Sequence, residues 1–76
     1  MRTGYAIRDR HGHAWLKTRE RVEGVSCPVT VWVQDEAEAM LFRRLPEARR
    51  MLKLVRETSR RPDKIHIMDP AWKEVY

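Results

Sequence analysis

The chain has 76 residues, a formal net charge of +5 and a single cysteine, Cys27. This length excludes a second hydrophobic core and predicts one domain, residues 1–76, while a lone cysteine excludes an intramolecular disulfide. Because no apolar run is long enough for a membrane span or a signal peptide, we expect a cytoplasmic protein with no membrane partner.

The first predicted element is a β-hairpin over residues 4–18. Gly12 lies between two short runs of alternating character, and glycine can adopt the left-handed conformation that a three-residue hairpin loop needs. Such a loop would place Ile7 opposite Trp15. An aromatic residue opposite a β-branched one is a favourable cross-strand pair.

A loop and a second strand region follow the hairpin. Residues 19–28 are polar and contain Gly24, which predicts a loop. Residues 29–33 have the sequence Val-Thr-Val-Trp-Val and give the clearest strand pattern of the chain. Their alternation puts the valines on one face of the strand, and Thr30 and Trp32 on the other.

The segment after this strand is compatible with two structures. Asp35 and Glu38 have the spacing of a capping box, which predicts that a helical turn begins there. Residues 39–45 then either continue that helix or contain a short strand at residues 40–42. Local pattern alone does not decide between them.

The main helix is predicted over residues 46–58. Pro46 suits its first turn, where the missing N–H costs nothing, and Glu47 complements the positive helix end. Apolar residues at helical spacing would cover one face of this helix. They are Ala48, Met51, Leu52 and Val55.

A short strand is predicted over residues 64–68, followed by an apolar tail, residues 69–76. These elements together predict an α+β fold. We expect a small, mainly antiparallel sheet of three or four strands with one principal helix packed on one face. The exposed edges of so small a sheet favour partner binding or homodimerisation.

A hairpin containing a glycine is followed by W-x-x-D, by A-x-x-F, and by E-A at the start of a helix. This order resembles a group of very small proteins of bacteriophages and other mobile elements, mostly of unknown function. In that group the A-x-x-F segment is commonly a strand after a single helical turn, which implies a strand at residues 40–42. The group usually has a Ser, Asp or Thr cap before the second helix, where this chain has Leu45 and Pro46. The resemblance is carried by Tyr5, Ile7, Gly12, Leu16, Trp32, Ala39, Phe42 and Ala48.

Motifs for catalysis or metal binding are absent from the sequence. His11, His13 and His66 lack the cysteine or carboxylate cluster that would complete a tetrahedral metal site. Ser26 and Cys27 have no surrounding nucleophile motif, and no phosphate-binding loop, EF-hand or zinc-finger spacing occurs. We therefore expect no enzyme and no cofactor, with a small basic ribonuclease as a remote alternative.

The strongest functional indication is a row of cations along the predicted helix. At about 100° per residue, these side chains form a stripe beside the apolar face. Cations at one-turn spacing neutralise successive phosphates with little dependence on sequence, so we expect contact with nucleic acid or a nucleoprotein complex. An ordinary solvated helix face is the alternative. The stripe consists of Arg49, Lys53, Arg56 and Arg60, and the predicted contact residues that extend it are Arg43, Arg44 and Arg61.

The tail offers a second candidate surface. Trp72 and Tyr76 either fold back over the sheet or anchor a partner protein. In the second case, an exposed sheet edge would allow docking by strand addition. The alternative function is therefore a protein-interaction module, for example an inhibitor of a host machine, with a host protein as its partner.

Overall fold

The computed structural model describes residues 3–76. Four antiparallel strands form one sheet in the order β3-β2-β1-β4, and helix α1 packs against one face of it. The predicted α+β class is confirmed. The strands are β1 Ala6–Asp9, β2 Ala14–Glu20, β3 Val29–Val33 and β4 Ile65–Met68, and the helix is α1 Leu45–Thr58.

The register of the β1–β2 hairpin is one residue away from the predicted one. Arg8 pairs with Trp15, so the predicted pairing of Ile7 with Trp15 is wrong. In the observed register Ile7 shares a face with Leu16, and both side chains are fully buried in the core. Because a slip of one residue moves a strand's whole apolar set to the other face, burial of this pair fixes the register.

The hairpin loop also differs from the prediction. It comprises residues 10–13, and the left-handed residue is His13, with a φ of 51°, rather than Gly12. The Asp9 carboxylate accepts a hydrogen bond of 2.9 Å from the His11 N–H, which is the pattern of an Asx turn. The turn is therefore stabilised by the Asp9 side chain and by the strand register. Gly12 does not supply the left-handed backbone conformation.

The segment after β3 makes one helical turn and then extends. A 3-10 turn spans Glu36–Glu38, and the Asp35 side chain accepts a hydrogen bond from the Ala37 N–H at 2.9 Å. Phe42 then forms an isolated antiparallel bridge with Tyr5. Residues 40–42 do not continue the helix, and they contact the sheet through this bridge and through a 2.8 Å hydrogen bond from the Met40 N–H to the Leu16 carbonyl. The strand alternative is therefore supported at Phe42 only.

The core lies between α1 and the sheet. α1 begins at Leu45, one residue before its predicted start. β4 begins at Ile65, one residue after its predicted start, because a 3-10 turn, Pro62–Lys64, precedes it. The predicted apolar face of α1 is turned to the sheet, with Met51 at its margin. Buried residues of this cluster are Ile7, Leu16, Ala48, Leu52, Val55, Ile65 and Ile67.

The tail folds back along the outer edge of β4. The Val75 N–H donates to the Ile67 carbonyl at 2.9 Å, and the Ile67 N–H donates to the Tyr76 carbonyl at 3.0 Å. On the sheet face opposite α1, Trp72 meets Trp15 edge to face, with ring centres 5.4 Å apart. The tail thus covers one edge of the sheet and brings Tyr76 beside α1.

Candidate nucleic-acid interface

The predicted contact residues lie along the whole length of α1 and at both of its ends. Arg43 and Arg44 precede the helix, and Arg60 and Arg61 follow it. All of the set are exposed except Arg56, which is half-buried. A helix that is held on a sheet by its apolar face presents such side chains at fixed positions along its axis.

Arg56 has a structural contact that the sequence pattern did not reveal. Its Nε and Nη2 both donate to the Ile65 carbonyl, at 3.1 and 2.7 Å. Two residues further along β4, Ile67 bonds to the tail. Because alternate backbone groups of a strand point to the same side, Arg56 caps the outer edge of β4 where the tail ends.

We expect Arg56→Ala to lower the free energy of unfolding by about 1–3 kcal/mol, because a carbonyl loses two charge-assisted hydrogen bonds. Arg60→Ala is the matched control, since Arg60 is exposed and its loss should cost less than about 0.5 kcal/mol. Urea denaturation of both variants measures the difference. Equal midpoints would mean that the Arg56 contact contributes nothing and that this side chain is available for a ligand.

An open groove of about 770 Å³ runs between α1 and the end of the tail. Its apolar walls are Pro46 and Leu52 from the helix and the Tyr76 ring from the tail. Arg49 lies over this ring, with its Cζ 4.5 Å from the ring centre, which is a cation–π contact. One residue predicted for nucleic acid and one predicted for a partner protein therefore meet in the same groove.

The groove carries more positive than negative charge. Arg49, Arg50 and Lys53 line it and are exposed. None of the three forms an ion pair with a carboxylate of residues 3–76, where the ion pairs involve Arg10, Lys17 and His66. Arg56 also lines the groove, where Glu57 is the one acidic side chain among the lining residues. An incoming anion would therefore meet cations that have no ion pair to break.

Two further arginines, neither of them predicted as a contact residue, lie on α1 or contact it. Arg50 lies outside the predicted stripe, yet its spacing of three residues from Lys53 was a signal that both share one side of α1. Arg19 donates from β2 to the Leu54 carbonyl at 3.0 Å and to the Thr58 hydroxyl at 3.3 Å, near the C-terminus of α1. No local pattern could indicate that contact, because it joins residues distant in sequence.

Trp72 and Tyr76 lie on different sides of the sheet. Trp72 meets the ring of Trp15 edge to face, and Trp15 faces away from α1 because the neighbouring Leu16 faces the core. Trp72 is 44% exposed and Tyr76 is 43% exposed. Both rings therefore contact their own domain and keep part of their surface open, and they do not form one common patch.

The histidines are divided between different parts of the molecule. His11 and His66 line a small cavity of about 370 Å³ together with Arg10 and Lys64, whereas His13 is not among its lining residues. His66 Nδ1 lies 3.0 Å from the Tyr76 carbonyl oxygen. Within residues 3–76, no three His, Cys, Asp or Glu side chains are grouped so that they could hold a metal ion.

α1 is the longest helix of residues 3–76, and no helix in that range has the length and apolar character needed to cross a membrane. Comparison of the chain with protein families, with curated proteins and with solved structures found no match.

Proposed function

We propose that this chain is a small non-catalytic module that binds nucleic acid, or a nucleoprotein complex, through α1. The supporting observation is the group of exposed cations without ion pairs, Arg49, Arg50 and Lys53, along one groove of a helix that is packed on a sheet. Guanidinium and ammonium groups at such spacing fit phosphates. The resemblance to small phage and mobile-element proteins supports a phage or mobile-element origin. The lone Cys27 thiol fits a location in the reducing cytoplasm.

Binding of this kind is mainly electrostatic. If three phosphates are neutralised, the logarithm of the binding constant falls with the logarithm of salt concentration with a slope of about −2 to −3. The affinity is then expected to depend weakly on base sequence, since phosphate contacts carry no sequence information.

Fluorescence anisotropy of labelled oligonucleotides at low and at physiological salt tests this function. The variant with Arg50→Gln and Lys53→Gln should bind more weakly, and its salt slope should be smaller by about 1–2. Its control carries Arg21→Gln and Lys64→Gln, which remove the same number of charges from exposed positions outside the groove. If both double variants lose affinity equally, binding follows net charge and α1 is not the site.

A protein-interaction module is the second candidate, and one observation favours it. The tail and Arg56 cover the outer edge of β4, whereas β3 is the other edge strand of the sheet and pairs only with β2 within residues 3–76. An uncovered edge strand can accept a strand from a host protein or a second copy. The double variant Val31→Lys, Val33→Lys should abolish binding to such a partner and leave oligonucleotide binding intact. A partner that binds the variant and the original chain equally would contradict docking at β3.

A further inference from the structure

The groove between α1 and the end of the tail has an aromatic ring, that of Tyr76, in its wall. Phosphate binding alone does not require such a ring. We propose that the groove binds single-stranded nucleic acid, with a base stacked on the Tyr76 platform and the adjacent phosphates on the α1 cations. The Tyr76 platform is the Tyr76 ring together with the Arg49 guanidinium, which covers one face of the ring, so that the base would stack on the opposite face. This assignment rests on the proposed function and narrows it to one class of nucleic acid.

The Tyr76 platform is held by contacts with the rest of the domain. The Tyr76 carbonyl accepts a hydrogen bond from the Ile67 N–H at 3.0 Å and lies 3.0 Å from His66 Nδ1. Arg49 lies 4.5 Å from the ring centre. Tyr76 nevertheless remains 43% exposed. A ring that is already positioned and still open loses little conformational freedom when a base stacks on it.

The phosphate-binding groups lie beside this platform along α1. Arg49 and Arg50 precede Lys53 by four and three residues, so the three side chains lie on neighbouring turns, within roughly 6 Å along the axis. A strand whose base stacks on Tyr76 can therefore pass its backbone along these cations. Glu57 lines the groove further along the helix and repels phosphates there, which limits the site to a few nucleotides.

The aromatic ring favours a single strand over the other anionic ligands. In a duplex, both faces of each base are covered by its neighbours, so a base must leave the stack before it can reach Tyr76. In a single strand, base faces are available, and stacking on aromatic side chains is the common mode of binding. An acidic peptide would use the cations and leave the exposed ring without a planar partner.

The test compares a short labelled oligothymidine with a labelled duplex of the same length, by fluorescence anisotropy with the full chain. We expect the single strand to bind roughly ten-fold or more tightly at the same salt concentration. Tyr76→Leu should remove most of this preference and leave the salt slope unchanged, because the phosphate contacts remain. Tyr76→Phe should keep the preference, since the ring is retained, and circular dichroism of both variants verifies their fold.

The outcomes separate this inference from the proposed function. Equal affinity for both oligonucleotides, with no effect of Tyr76→Leu, would overturn the single-strand assignment and leave the proposed function standing if binding weakens with salt. Absence of binding to either oligonucleotide at low salt would overturn both. A labelled acidic peptide that binds as tightly as the oligothymidine, with the same dependence on Tyr76, would assign the groove to a protein ligand instead.

Discussion

Leu52→Ala is expected to lower the free energy of unfolding by about 2–5 kcal/mol, which is the range for truncating a buried leucine. Leu52 is only 3% exposed and belongs to the cluster that joins α1 to the sheet. A domain of this size has little stability in reserve. The midpoint of thermal unfolding should therefore fall by at least about 10 °C, and the variant should be partly unfolded at physiological temperature.

Leu54→Ala provides the matched control for this prediction. The same chemical change is made on the same helix two residues later, but Leu54 is 44% exposed. Leu54→Ala should change the free energy of unfolding by no more than about 0.5 kcal/mol. Thermal unfolding followed by circular dichroism compares the two variants, and similar midpoints would contradict the packing of α1 through its Leu52 face.

Deletion of residues 69–76 is expected to destabilise the domain and to make it self-associate. The deletion uncovers Trp15, which is 4% exposed in the intact chain, and leaves the outward N–H and carbonyl of Ile67 without their tail partners. Exposing part of a tryptophan and losing backbone hydrogen bonds together cost about 2–4 kcal/mol. An uncovered β4 edge is also a template for pairing with another chain.

Unfolding midpoints and sedimentation velocity of the truncated chain measure these two effects. Trp72→Ala is the companion variant, since it removes the ring contact with Trp15 and keeps the tail backbone on β4. It should lose stability without gaining self-association. A truncated chain that is monomeric and as stable as the full chain would show that the tail is a free arm, which is what the partner-anchoring alternative requires.

Elements with a strong local signal were predictable from the sequence. The apolar spacing of Ala48, Leu52 and Val55 identified the buried face of α1, because helical periodicity is a local property. The valine-rich alternation identified β3 and separated its valines from Thr30 and Trp32, but only the structure shows that the Trp32 face packs against the core. Pro46 and Glu47 marked the helix start to within one residue.

Features set by contacts between distant parts of the chain were not predictable in this way. The hairpin register depends on burying Ile7 and Leu16 under α1, which no count of loop residues reveals. The role of Arg56 depends on the Ile65 carbonyl, nine residues away. The candidate groove likewise exists only because the tail returns along β4 and brings Tyr76 to Arg49. The cations were predicted as a stripe, while their combination with an aromatic ring required the tertiary structure.

Binding of nucleic acid along α1 is tested most directly by titrating the isotope-labelled chain with a short oligothymidine and following its backbone amide NMR signals. This measurement detects binding and locates it at once. We expect the largest shifts in residues 46–57 and at Tyr76, with the signals of β3 and the loop 21–28 unchanged. Shifts concentrated in residues 21–33 instead, or no shifts at low salt, would contradict the assignment of α1 and its groove as the binding site.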